Sequence, residues 1–112
     1  MECFPKEVQE YETADGRSPF SEWLGTLSDK KTRARILKRI TRIYLGNLGD
    51  IKPVGDGVIE LREHHGPGYR IYCGEEGNKV VVLLCGGEKD SQEEDIKRAK
   101  QYWADYRRRT DA

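Results

Sequence analysis

The sequence predicts an α+β domain: an antiparallel sheet of about four strands with an N-terminal helical hairpin and a C-terminal helix, in the order βααβββα. Three observations carry this. Apolar residues recur at helical spacing between Phe20 and Tyr44. Three runs rich in β-branched and aromatic residues lie between Val58 and Cys85, separated by glycine-bearing turns. A capped, amphipathic segment closes the chain after Ser91.

Glu7 to Thr13 places Val8, Tyr11 and Thr13 among charged residues, an imperfect alternation that fits an edge strand, and Ala14-Asp15-Gly16-Arg17 turns the chain. Ser18 as N-cap and Pro19 at the first helical position start a short helix whose stripe is Phe20, Trp23, Leu24 and Leu27. Ser28-Asp29 caps a longer helix with Ile36, Leu37, Ile40, Ile43 and Tyr44 as its buried face, ended by Gly46, Asn47 and Gly49. Each helix is apolar on one side only, so the pair must fold back as a hairpin over a sheet. Val58 to Glu63, Tyr69 to Cys73 and Lys79 to Cys85 supply that sheet, and the short turns Gly66-Pro67-Gly68 and Glu75-Glu76-Gly77-Asn78 make neighbours antiparallel. Val80-Val81-Val82-Leu83-Leu84 lacks polar alternation and reads as a strand covered on both faces. After a Gly86-Gly87 loop, Ser91-Gln92-Glu93-Glu94 has the form of a capping box, and Ile96, Ala99, Trp103 and Tyr106 line the last helix. The expected core is Trp23, Leu37, Ile40, Val81, Leu83 and Trp103.

With 112 residues and no repeat or linker, residues 1–112 read as one domain. No apolar run approaches the ~18 residues of a membrane span, and Met1 to Pro5 lacks the pattern of a signal peptide, so a soluble, cytoplasmic protein without membrane partners is expected. Cys3, Cys73 and Cys85 are odd in number and widely spaced, which suggests reduced thiols in the core. Twenty basic and twenty acidic residues cancel, but they are segregated. Residues 30–42 carry seven cations and no acid, and Glu88, Asp90, Glu93, Glu94 and Asp95 form a compact acidic patch.

Several motifs together form a pattern. They are Leu45-Gly46-Asn47, Gly49-Asp50, Lys52-Pro53-Val54-Gly55, Glu60-Leu61-Arg62, Gly66-Pro67-Gly68-Tyr69-Arg70, Leu83-Leu84-Cys85-Gly86-Gly87 with Lys89, and Asp95-Ile96-Lys97-Arg98-Ala99-Lys100 with Trp103. The combination, from about Ser18 to Arg108, resembles the HigB-like "addiction module killer" branch of the RelE/ParE toxin superfamily. The resemblance implies a RelE-like fold, a toxin–antitoxin operon and metal-free RNA cleavage, in which the ribose 2′-hydroxyl attacks the adjacent phosphate and the 5′-oxygen leaves. Neither a metal nor another cofactor is expected. Such chemistry needs fixed cations where charge builds on the phosphoryl oxygens, and arginine suits it through its planar, permanently charged fork.

Arg70 is the first catalytic candidate, because it matches the family's Gly-Tyr-Arg element and begins a strand, where it is expected to face solvent. Glu60 and Arg62, two apart on one strand, share a face and provide a carboxylate and a phosphate contact, or simply an ion pair. Lys89 stands about where RelE-type toxins carry a basic catalytic residue. Lys52, in the segment before the sheet, is a candidate for a flanking phosphate. Glu60, His64 and His65 are the candidate proton acceptors. No third ligand accompanies the His pair, which argues against a metal site. Where the better-studied RelE pattern has an aromatic residue early in its last element, this chain has Gln92 to Asp95, so base stacking would fall to Tyr69, Tyr72 or Tyr102, for which core packing is the simpler role. Lys31, Arg35, Lys38 and Arg42 form one exposed ridge suited to ribosomal RNA.

The leading function is therefore a type II toxin acting as a ribosome-dependent endoribonuclease that blocks translation. The alternatives are a ParE-like inhibitor of DNA gyrase and a degenerate module that only binds its partner. The expected partners are a cognate antitoxin, the ribosome and mRNA, with DNA reached only through the antitoxin complex.

Overall fold

A computed structural model describes residues 5–110. The elements are β1 (Glu7–Glu10), α1 (Pro19–Thr26), α2 (Lys30–Tyr44), β2 (Ile51–Gly55), β3 (Val58–Glu63), β4 (Tyr69–Glu76), β5 (Val80–Glu88), a 3-10 turn (Lys89–Ser91) and α3 (Gln92–Thr110). Five strands form one sheet in the order β1-β5-β4-β3-β2. α1 and α2 cover one face and α3 the other, giving three layers.

The sheet is mixed and has one strand more than the sequence predicts. β1 pairs parallel to β5, because the chain leaves β1 through two helices and three antiparallel strands before it returns alongside. β2 is the additional strand. Pro53 and Gly55 obscure it in the sequence, but at the sheet edge a missing amide is tolerated. It joins β3 through Asp56-Gly57, whose φ values of 58° and 83° are those a two-residue hairpin turn demands.

β3 has the predicted bounds, whereas β4 and β5 run longer than predicted. Gly86 and Gly87 belong to β5 and do not form a loop. A Cβ at Gly86 would overlap the Trp23 ring, and one at Gly87 the Asp95 carboxylate, so strand geometry here requires glycine. Ser18 caps α1 and Asp29 caps α2 by accepting backbone amides. The capping box does not form. Ser91 lies in the 3-10 turn, and its hydroxyl donates to Glu88 O and the Asp95 carboxylate.

β5 is buried on both faces as expected: Val81 and Leu83 pack under α1 and α2, Val82 and Leu84 under α3 with Ala99 and Trp103. On α2 the inward row is Thr32, Ile36, Arg39 and Ile43, with Ile40 half-buried beside it. Leu37 and Tyr44, expected inside, are 51% and 57% exposed, since each lies one residue, or about 100° of helix, past a member of that row. Cys73 and Cys85 are free thiols in the core, where burial pushes both above the usual thiol range. Cys3 lies outside the described residues. Among those residues no helix is long and apolar enough to cross a membrane.

Candidate active site

Alternation along β3 and β4 sorts their side chains. Ile59, Leu61, Ile71 and Cys73 go to the α1–α2 side, while Glu60, Arg62, Arg70 and Tyr72 go to the side that α3 partly covers. The register sets Glu60 opposite Tyr72 and Arg62 opposite Arg70. α3 begins above this face, so its first residues reach down to it.

Glu60 is wholly buried. Its Oε2 accepts from the Gln92 amide at 2.9 Å and from the Tyr72 hydroxyl at 3.2 Å. Arg70 Nε stands 3.4 Å from the same oxygen, within ion-pair range but misaligned for a hydrogen bond. Burial, and then the Glu60 charge, push the Tyr72 phenol well above its usual range, so that it remains a donor. Contrary to the expectation of a solvent-facing side chain, that of Arg70 is only 11% exposed. Its Nη1 donates to Gly68 O over 3.4 Å, a long bond.

Arg62 is the second cation. Its amide donates to Asp50 O at 3.1 Å and its Nη2 to Asp50 Oδ1 at 3.2 Å, while its buried Nε has no partner. The other oxygen of Asp50 lies 2.7 Å from His64 Nε2. The His64 ring, and then Arg62, hold the Asp50 carboxyl below the usual carboxylate range. Asp50 is held in turn through its own carbonyl, which accepts from Arg39 Nη2 at 2.8 Å.

Lys89 opens the 3-10 turn after β5. Its amide donates to Gly68 O at 2.9 Å, and its side chain begins beside Gly68, as does the end of Arg70. Lys52 is exposed and paired across β2–β3 with Glu60, so it shares the face. The fold thus brings Lys52, Glu60, Arg62, His64, Arg70 and Lys89 together. It does not bring the α2 ridge there: Lys31, Arg35, Lys38 and Arg42 are exposed in the layer on the opposite side of the sheet. His65 and Tyr69 also turn to that opposite side, with Tyr69 between His65 and Trp23. Tyr72 is buried and Tyr102 stacks on Tyr11, so none of the three tyrosines offers a free ring to a base at this site.

Three residues of the site escaped the sequence reading: Asp50, Tyr72 as a donor, and Gln92. Asp50 had a signal. Once Asp56-Gly57 is read as a hairpin turn, the pairing of Ile51 with Leu61 puts Asp50 opposite Arg62. Among the described residues no three His, Cys, Asp or Glu side chains converge as a metal site requires.

A model of the family described as phage-derived protein Gp49-like (DUF891) matches residues 22–104. The chain belongs to the Gp49-like family. This is a family of toxin–antitoxin-type toxins related to the RelE-like group. An uncharacterized protein of Haemophilus influenzae (strain KW20/Rd) is 48% identical over 81 residues, which are 72% of this chain and 82% of that protein. The Gp49-like match spans α2, the whole β2–β5 meander and most of α3, and so includes every residue of the Arg62–Arg70 face.

Proposed function

We propose that this Gp49-like protein is the toxin of a type II toxin–antitoxin pair, within or near the HigB-like branch, and that it cleaves ribosome-bound mRNA without a metal. One observation carries the reading: two arginines face each other across β3 and β4, and Nη1 of Arg62 and Nη2 of Arg70 have no hydrogen-bond partner among the described residues, which suits the non-bridging oxygens of a phosphodiester. In the proposed reaction His64, with Nε2–H donating to Asp50, accepts the 2′-hydroxyl proton at Nδ1. The 2′-oxygen bonds to phosphorus, the P–O5′ bond breaks, and the 5′-oxygen takes a proton from Lys89 or water. The products are a 2′,3′-cyclic phosphate and a 5′-hydroxyl. Arg62 and Arg70 stabilise the charge that builds on phosphorus's oxygens, and Lys52 binds a flanking phosphate. Glu60, too buried to touch RNA, positions Arg70. The α2 ridge supplies salt-dependent attraction to ribosomal RNA from the opposite layer, and a cognate antitoxin silences the protein.

Toeprinting of a translated message with purified ribosomes tests this. The reading predicts new 3′ ends only when ribosomes are present and undiminished cleavage when the toxin is pretreated with EDTA. Intact message together with inhibition of gyrase supercoiling would replace it by a binding function on the same fold.

A further inference from the structure

The outer surface of α1 and α2 is not wholly polar. Among the described residues the large apolar side chains left exposed are Leu37, Tyr44 and Leu45, and all three belong to α2 or its C-cap. Leu37 and Tyr44 are seven residues apart, so they stand on one flank of the helix about 10 Å from each other. Leu37 also lines a groove of about 450 Å³ between the two helices, together with Ser21, Leu24 and Gly25 of α1 and Lys30, Arg33 and Ala34 of α2.

Charge around this groove is of one sign. No acid lines it, α2 has none along its length, and neither Lys30 nor Arg33 has an ion-pair partner among the described residues. The acids adjoining it are engaged: Glu10 accepts from Ser18 and Ser21, and Asp29 from Thr32 and the Lys31 amide. The ridge of Lys31, Arg35, Lys38 and Arg42 is centred roughly a third of a turn further round α2, so the two surfaces are distinct. An RNA backbone gains from cations but not from an apolar groove. A second copy of α2 would meet this one with like charge. A lipid surface takes apolar side chains that project, whereas Leu24 and Ala34 line a concavity. A groove between two helices accepts the side-chain ridge of a third.

We infer that this groove docks an acidic amphipathic helix of a partner protein, its apolar stripe against Leu24, Leu37 and Tyr44 and its carboxylates beside Lys30 and Arg33. Such helices present apolar anchors at i, i+3 or i+4 and i+7, a spacing that matches the run from Leu37 to Tyr44. Apolar burial supplies the affinity, and the cations disfavour a basic helix. The groove lies in the layer opposite the Arg62–Arg70 face, and the inference does not depend on RNA cleavage. Gly25 gives a way to close it: a Cβ there would meet nothing within 4 Å, so a large side chain fills the groove without touching the core.

The test titrates the whole protein with capped peptides of about 18 residues, long enough to hold a helix. One has leucine at i, i+3 and i+7 with glutamate flanking the stripe, the second has lysine for glutamate, and the third is a scrambled form of the first. The acidic peptide should shift the NMR amides of Leu24, Gly25, Ala34 and Leu37. The other two should bind at least tenfold more weakly, a difference of about 1.4 kcal/mol. Gly25→Trp should weaken the acidic peptide tenfold or more while the rest of the amide spectrum stays native. Lys30→Glu/Arg33→Glu should weaken it about fivefold or more, as expected for two surface ion pairs. No shift of these amides at millimolar acidic peptide, equal or tighter binding of the lysine or scrambled peptide, or unchanged affinity in Gly25→Trp overturns the proposal. Self-association, phosphatidylglycerol vesicles or an RNA oligonucleotide that moves these amides where the acidic peptide does not would give the groove another occupant and overturn it too.

Discussion

Arg39 on α2 and Arg70 on β4 are both nearly buried arginines paired with a glutamate, on opposite faces of one sheet, yet their surroundings differ. Every donor direction of Arg39 is used: Nε and Nη2 donate to Leu48 O, Nη2 also to Asp50 O, and Nη1 to Arg62 O and to Glu63 Oε2 at 2.6 Å. It fastens α2 to the β2–β3 hairpin, and Gly49, at φ 70°, leaves room for its guanidinium. Arg70 has one long bond to Gly68 and a misaligned ion pair with Glu60. A buried polar group without partners costs stability. The chain therefore avoids that cost at Arg39 and bears it at Arg70 and Arg62. The first is a structural clamp, and the second pair has donors to spare for a ligand.

The largest expected effect is on the clamp. Arg39→Met strands Glu63 and the Leu48 and Arg62 carbonyls and should remove about 3–5 kcal/mol, as breaking buried pairs does. Urea denaturation would measure it, and a loss below about 1 kcal/mol would equate the two arginines.

Removing Arg70 should act on function first. Arg70→Ala is expected to slow message cleavage a hundredfold or more, equivalent to about 3–4 kcal/mol of lost charge stabilisation. It should also lower stability, because Glu60 keeps its buried charge without its cation. Glu60→Gln in the wild-type background should spare much of the fold, since Tyr72 and Gln92 can still donate to the amide oxygen. Its cleavage rate should fall by about tenfold as Arg70 loses its anchor.

Alkaline pH weakens both regions together. Burial, followed by the bond to Asp105, pushes Tyr11 up to about 12, burial pushes Cys85 up to about 12, and Tyr72 is raised too. The unfolded chain releases these protons from about pH 9 upward and the folded chain holds them, so folding stability falls as pH rises from about 9 to 12. Chemical denaturation at pH 8 and pH 10.5 should show a lower midpoint at the higher pH; an unchanged midpoint would contradict the burial of these groups.

The smallest effect on the fold belongs to the α2 ridge. Lys31→Glu with Lys38→Glu should alter stability by about 0.5 kcal/mol or less, while making ribosome association weaker and less dependent on salt. An unchanged salt slope would leave the ridge as a solvated helix face.

Much of the fold could be read from local chemistry: Ser18-Pro19 starts α1, the turns around Gly66-Pro67-Gly68 and Gly77 separate strands, and the unbroken apolar run of β5 announces burial on both faces. The missing parts depend on long-range pairing. The parallel union of β1 with β5 joins residues more than seventy positions apart. β2 is masked by Pro53, and with β2 unseen Asp50 had no visible partner. Leu37 and Arg39 exchanged places against expectation because hydrophobicity favours the leucine inside, whereas the arginine makes five hydrogen bonds to four acceptors there. Arg62, Arg70, Lys89 and Lys52 were legible as candidates through motif resemblance. Their common face required the register of β2, β3 and β4.

The contrast between clamp and site is tested most directly by the double variant Arg70→Ala/Glu60→Gln, assayed for melting and for cleavage of ribosome-bound message. With the buried carboxylate neutralised, the protein should melt close to wild type, within about 1 kcal/mol of its stability, yet cleave at least a hundredfold more slowly. Cleavage at the wild-type rate by this folded variant would show that the open donors of Arg70 serve no phosphate.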